Sequence, residues 1–172
     1  MKIAIIGYAG SGKSTLADII SKKLNLPLLH IDKISFLPNW IENSSLERVN
    51  AMQEFLTSNP DSWVIDGSYS KVLYEERMEE ADQIIFLNFN RFVCYYSALK
   101  RAIKYRNKQR ESAPEGCKEK FSLSFQWWLL FAGRTRKRKK LFFDTVDKYK
   151  NKTIILKNRK EVNQYILSIK VS

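Results

Sequence analysis

Residues Gly7-Tyr8-Ala9-Gly10-Ser11-Gly12-Lys13-Ser14 spell GxxxxGK[ST], and no other feature restricts this chain as much. Glycines at these positions let the backbone fold tightly enough to aim several N–H groups at one point, an arrangement suited to phosphate oxygens. Gly7, Ala9, Gly10, Ser11 and Gly12 build the cradle. Lys13 adds a point charge for the β- and γ-phosphates, the Ser14 hydroxyl suits Mg²⁺, and Thr15 completes the triphosphate-binding set. The flanks agree. Lys2-Ile3-Ala4-Ile5-Ile6 is an apolar run suited to a strand buried on both faces, and Leu16, Ile19, Ile20 and Leu24 recur at helical spacing. A helix starting near Lys13 points its positive dipole end at the phosphates.

The same alternation continues along the chain. Strands are expected at residues 2–6, 27–31, 63–66, 83–88 and 153–156, with helices at 13–24, 45–58, 71–78, 91–106, 122–149 and 160–169. A phosphate loop after the first strand of such a series implies an α/β fold of the P-loop NTPase type. Its form is three-layered α/β/α, with a five-stranded parallel sheet. Residues 107–121 break the pattern: they are polar, contain Pro114 and Gly116, and lack apolar periodicity. Placed between two arginine-bearing helices, they are expected to form a mobile lid insertion. The 172 residues suit a single domain, 1–172, that includes this lid.

Charge and composition narrow the partners. Thirty basic residues against 18 acidic give +12, an excess suited to phosphorylated small molecules or nucleic acid. Much of it lies between Lys100 and Arg110 and in the run from Arg134 to Lys140. No apolar run approaches the roughly 18 residues of a membrane span, and the first strand begins at once, so a cytoplasmic protein without membrane attachment is expected. Cys94 and Cys117 fit neither a disulfide framework nor a zinc pattern, and His30 is the single histidine. A monomer or a dimer is equally compatible with these features.

Two nucleotide-hydrolysing classes fit poorly. A guanine-reading Asn-Lys-x-Asp would need an aspartate where Asn151-Lys152-Thr153-Ile154 has isoleucine. The acidic pair of a motor-type ATPase is absent from the end of Ile84-Ile85-Phe86-Leu87-Asn88. A small kinase remains, taking a nucleoside triphosphate and a small-molecule acceptor. Asp32 is expected to end the second strand on the carboxyl edge of the sheet, where a carboxylate can orient an alcohol for in-line attack. On a regular strand His30 shares its side. Phe36 and Trp40 are candidates to line an acceptor pocket. Phe125, Trp127, Trp128 and Phe131 read as buried helix packing in preference to base stacking. Arg134 and Arg138, four apart, are expected to share a helical face, and positioned arginines stabilise a transferring phosphoryl group. Arg101, Arg106 and Arg110 precede the lid on its other side, and Arg136 follows it.

The ordered set from Gly7 to Thr15, Leu29-His30-Ile31-Asp32, Trp63 to Tyr69, Ala81-Asp82, Glu115-Gly116-Cys117 and Trp128 resembles the adenylate-kinase-like group of P-loop kinases. Within that group it is similar to the DNA topology modulation (FlaR-related) proteins. The resemblance implies ATP and Mg²⁺ as cofactors, with Asp66 of the Asp66-Gly67 step organising the metal beside Ser14. It implies Asp32 as an acceptor-binding residue, Arg101 as a contact to adenine or phosphate, and Arg134 and Arg138, after the lid, as arginines that reach the γ-phosphate. Tyr69 and Arg77 are read equally as pocket residues or as packing or solvated side chains. The resemblance also places Lys157-Asn158-Arg159 in the adenine-contacting loop, with Asn158 contributing through its backbone. The rival reading is a nucleotide-switched, DNA-associated regulator that uses the basic run from Arg134. No helix-turn-helix, zinc or RNA-recognition signature accompanies that run.

Overall fold

Ile3-Ala4-Ile5-Ile6 and Ile84-Ile85-Phe86-Leu87 contain no polar residue, and all eight are fully buried. A strand apolar on both faces must lie inside a sheet covered on both sides, which is what the computed structural model, describing residues 1–106 and 108–169, contains. Strand β1 (Lys2–Gly7) pairs with β5 (Trp63–Asp66) on one side and β6 (Gln83–Leu87) on the other. β2 (Leu28–His30) flanks β5, and β7 (Thr153–Leu156) flanks β6. The order is β2-β5-β1-β6-β7, and every pairing is parallel. The five expected strands are these five.

Helix α1 (Lys13–Leu24) crosses β1, β2 and β5 and meets α8 (Arg159–Ser168). It ends at Asn25, whose left-handed φ of 50° closes the cap with its N–H on Ser21 O. Helices α4 (Tyr74–Glu80) and α7 (Arg136–Lys148) are joined by a Tyr74–Thr145 hydroxyl contact of 3.0 Å. Phe142 of α7 sits against Phe86 and Tyr8, with ring centroids 5.1 and 5.2 Å away. Helix α3 (Ser45–Ser58) starts where the Ser44 hydroxyl accepts from Glu47 N. Helix α5 (Arg91–Lys104) packs on α6 (Leu123–Leu130).

Two expectations need correction, and the chain adds a hairpin that they do not include. β2 stops at His30, and Ile31–Ser35 form a short helix, α2, so Asp32 stands in a helical turn and does not end the strand. Ile31 turns inward because Gly67 leaves room for it; a β-carbon there would lie 2.8 Å from Ile31 Cβ. The chain then makes a two-stranded antiparallel hairpin, β3 (Phe36–Leu37) and β4 (Ile41–Glu42), too short for sequence periodicity to register. Finally, the single helix expected over 122–149 is two helices. Gly133 is pressed against Trp128 in the turn between them, and Thr135 caps α7 by accepting from Arg138 N at 3.3 Å. Thr135→Ala should cost about 1 kcal/mol, read by urea unfolding, because the first turn of α7 loses that acceptor.

Candidate active site

Parallel register lines up the ends of three strands: Ile5 lies beside Asp66, and Asp66 beside His30. The phosphate loop leaves β1 next to them, at the point where the chain turns to opposite sides of the sheet, the usual ligand crevice in such folds. Gly10 and Gly12 hold φ of 75° and 96°, values that favour glycine, and a β-carbon on Gly10 would sit 2.3 Å from Cys94 O. Ser68 ties the loop to the end of β5 through Gly7, accepting from its N–H at 3.0 Å and donating to its carbonyl at 3.2 Å. Lys13 Nζ donates to Tyr8 O at 3.1 Å.

Asp66 and His30 are both buried, with His30 Nδ1 3.1 Å from Asp66 Oδ2 and Nε2 3.1 Å from Asp18 Oδ1. Burial opposes charge on each. For His30 the bond and charge of Asp66, with Asp18 behind, outweigh it and raise the imidazole above its ordinary value. For Asp66 the bond to His30, the Lys13 charge and the adjacent Ser14 hydroxyl outweigh it and hold the carboxyl below the usual range. Among the described residues, Asp66 Oδ1 is buried without a partner. A buried ionised oxygen beside a lysine and a serine hydroxyl fits a hydrated Mg²⁺, which takes one or two carboxylates and completes its shell with waters and phosphate oxygens. No group of three or more His, Cys, Asp or Glu capable of caging a metal occurs among the described residues.

A cavity of ≈ 1130 Å³ opens above these groups. From Gly7 to Thr15 every residue except Tyr8 and Ser11 lines it, as do Asp32, Asp66, Arg101 and Arg138. Ser11 is fully buried behind the loop. Asp32 Oδ1 accepts from Tyr69 Oη at 2.7 Å; burial first, then the Asp32 charge, push that phenol well above its usual range. Phe36 and Trp40 enter the cavity edge to face, their centroids 5.5 Å apart.

Arg134 and Asn158 do not line it. Because the helix breaks at Gly133, Arg134 is not on one face with Arg138. Its guanidinium lies 3.8 Å from the Tyr8 ring centroid and donates to Phe89 O at 2.9 Å and Cys94 Sγ at 3.2 Å, bracing the phosphate loop from outside the cavity. Asn158 is the N-cap of α8, accepting from Glu161 N at 3.0 Å. Its neighbour Arg159 is the residue that reaches the cavity, 4.9 Å from the Phe89 ring and bonded to Ser97 Oγ at 3.1 Å. An asparagine three residues before a glutamate is a helix-start signal that could have separated the two roles.

For Arg77 the structure shows the packing alternative. It is fully buried, and it donates to the carbonyls of Val72, Leu73, Gly67 and Tyr69 at 3.0–3.3 Å. Burial lowers its pKa to about 10. Of the aromatic cluster, Phe125 and Trp128 stack at 6.0 Å and line the cavity, whereas Trp127 and Phe131 are 64% and 48% exposed; none is fully buried helix packing. Arg136, Lys137, Lys139 and Lys140 are exposed along α7.

Asn107, the first residue of the expected lid, lies outside the described residues. The rest of the segment is docked: Ser112, Ala113 and Cys117 are buried, and the β3–β4 hairpin holds it. Trp40 donates from its backbone to Cys117 Sγ at 3.3 Å and from Nε1 to Lys118 O at 2.7 Å, while Asn39 N donates to Gly116 O at 3.3 Å. Glu119, which sequence reasoning missed, binds two arginines at once. It accepts from Arg101 Nε at 2.7 Å and Nη2 at 2.6 Å, and from Arg110 Nε at 3.0 Å. No local pattern announces it, because its partners lie on α5 and across the segment.

No family model matches the chain. It is 32% identical over 109 residues to a Sulfurisphaera tokodaii protein that bears an adenylate kinase name, covering 59% of this chain and 55% of that protein. It is 33% identical over 111 residues to a cytidylate kinase of Carboxydothermus hydrogenoformans, covering 61% and 48%. The chain therefore spans about half the length of the curated relatives it matches. The deoxyadenosine kinase of M. mycoides, solved with dATP, superposes with a TM-score of 0.57 over 97% of each chain at 15% identity. A sugar kinase of Janibacter sp. superposes at 0.52 over 99% of this chain and 95% of that one, also at 15% identity. The fold is that of the P-loop kinases, an α/β architecture around a five-stranded parallel sheet. Among the described residues no helix is long and apolar enough to cross a membrane.

Proposed function

We propose that this chain is an ATP- and Mg²⁺-dependent kinase that transfers the γ-phosphoryl group to a hydroxyl of a small acceptor. One observation carries the reading: the phosphate loop, Asp66 and Asp32 line the same cavity. Backbone N–H groups of the loop and the Lys13 ammonium hold the β- and γ-phosphates, and Arg159 flanks the loop at Gly12. Ser14 and Asp66 would hold Mg²⁺, which when bound neutralises charge on the phosphate oxygens. Tyr69 occupies Asp32 Oδ1, fixing the carboxylate and leaving Oδ2 for the acceptor hydroxyl. The acceptor oxygen attacks the γ-phosphorus in line. The bond to the β,γ-bridging oxygen breaks with its electron pair remaining on the departing diphosphate, and the acceptor proton passes to Asp32. Arg138 is the post-lid arginine available to the transferring oxygens.

The order of motifs along the chain supports a place among the topology modulation (FlaR-related) proteins. A single domain over residues 1–172, with its lid at about 107–121, belongs to the same proposal. Asp32→Asn tests the assignment. It should lower kcat about 10²-fold while the Kd for Mg·ATP stays within about twofold. Unchanged turnover of every accepted substrate in that variant would remove Asp32 from the reaction.

A further inference from the structure

We infer that His30 is a positioning residue for the metal pair: it fixes Asp66 against helix α1 so that one carboxylate oxygen stays free beside Ser14. This rests on the kinase reading above and gives a part to a residue that the reading leaves idle. His30 is buried and does not line the cavity, whereas Asp18 and Asp66 both line it. Each ring nitrogen is engaged with one of them, Nδ1 lying 3.1 Å from Asp66 Oδ2 and Nε2 3.1 Å from Asp18 Oδ1. An imidazole with both nitrogens engaged has none left for a substrate, so it acts on the reaction only through its partners.

The three side chains come from three elements: His30 ends β2, Asp66 ends β5, and Asp18 belongs to α1. Asp18 stands four residues after Ser14, one turn along the same face of that helix. The bridge therefore joins the helix that carries Ser14 to the strand that carries Asp66, the two residues assigned to Mg²⁺. It also decides which oxygen is available. His30 occupies Oδ2, and Oδ1 is the buried oxygen without a partner among the described residues. Without the ring, both oxygens of this buried carboxylate would lack that support, and the nearby Lys13 ammonium and Ser14 hydroxyl would compete for them. Either capture withdraws a group that the metal shell needs. Partners behind a metal ligand typically account for about 10- to 100-fold in metal affinity.

The experiment reads metal binding apart from turnover. Mn²⁺, a spin-resonance-visible substitute for Mg²⁺, is titrated into protein held in excess over a non-hydrolysable ATP analogue, and calorimetry gives the analogue's affinity with the metal and with EDTA. In His30→Ala the Kd for Mn²⁺ should rise about tenfold or more, while the metal-free Kd for the analogue stays within about twofold. His30→Asn, whose amide nitrogen stands near the Nδ1 position, should return to within about threefold of wild type. His30→Gln, which reaches towards Asp18 instead, should not. A merely structural role would lower the thermal melt and leave the Mn²⁺ Kd of the folded variants unchanged, or weaken metal-free binding equally; either result overturns the inference and leaves the kinase reading standing. If the alanine variant does not fold, equal Mn²⁺ affinity in the asparagine and glutamine variants overturns it. A wild-type protein that binds the analogue equally well with Mn²⁺ and with EDTA overturns the metal assignment of the kinase reading as well.

Discussion

Lys13→Ala should lower kcat by about 10³-fold while leaving the fold intact. The ammonium is the one cation carried by the phosphate loop itself, and charge accumulates on the transferring oxygens only as the bond breaks, so its loss falls mainly on the transition state. Among the described residues Lys13 makes a single hydrogen bond, to Tyr8 O, within its own loop. Its removal leaves no hydrogen-bonding group outside the loop unpaired, while buried Asp66 loses one of the charges that favour its ionised form, so the thermal midpoint should fall by a few degrees, about 2–5 °C. Burst kinetics and a melting curve on the same preparation check both halves. A tenfold or smaller loss of kcat would mean that Lys13 is not the principal phosphate cation. A Lys13→Arg variant should restore little, since the longer planar group does not fit where a compact point charge is needed.

Arg77→Met should destabilise the protein by about 3–5 kcal/mol, read from urea unfolding. The guanidinium gathers carbonyls from both ends of the Gly67–Leu73 turn, and all of its hydrogen bonds are to backbone. A methionine fills the volume but supplies no donor, so each of those carbonyls would lose a buried partner. The same substitution separates structure from recognition. Because Arg77 supports the Gly67–Tyr69 backbone from within the protein, KM for a small acceptor should change little in the folded fraction at low temperature. A large KM effect with unchanged stability would place Arg77 in the acceptor pocket after all.

These two residues also show what could be read from the chain alone. Lys13 belongs to an eight-residue motif whose geometry is local: backbone dihedrals and one helix start define it, and both are encoded by adjacent residues. The buried strands were legible for a similar reason, since Ile3 to Ile6 and Ile84 to Leu87 admit no exposed face. Arg77 stays open between pocket and packing in the sequence, because an arginine on a short helix beside a site looks the same whether it points at ligand or at backbone. Burial decided it.

The arginines around the lid make the same point. Arg134 and Arg138 have the spacing of one helical face, and only the break at Gly133 sends Arg134 to the outside of Tyr8. Phe125 and Trp127 are two apart, yet one lines the cavity and the other is exposed. Asn158 and Arg159 are adjacent, and helix capping divides their roles.

The donor side of the protein was already written in its residues: the phosphate loop, the strand before it, the helix after it and the five-stranded parallel sheet. Those features rest on residues adjacent in the chain or on strand hydrophobicity, and local geometry and burial are strong enough to specify them. On the acceptor side the sequence offered Asp32, Phe36 and Trp40 as candidates, and only tertiary packing supplied the contacts around them. The Tyr69–Asp32 bond spans 37 positions, His30 meets Asp66 through strand register 36 positions apart, and Glu119 gathers Arg101 and Arg110 across the lid. Contacts between distant segments depend on how the sheet, the hairpin and the lid pack, so composition and spacing carry no imprint of them. The loop at Gly7 to Ser14 is a local motif, whereas the pairing of Glu119 with Arg101 and Arg110 exists only in the folded chain.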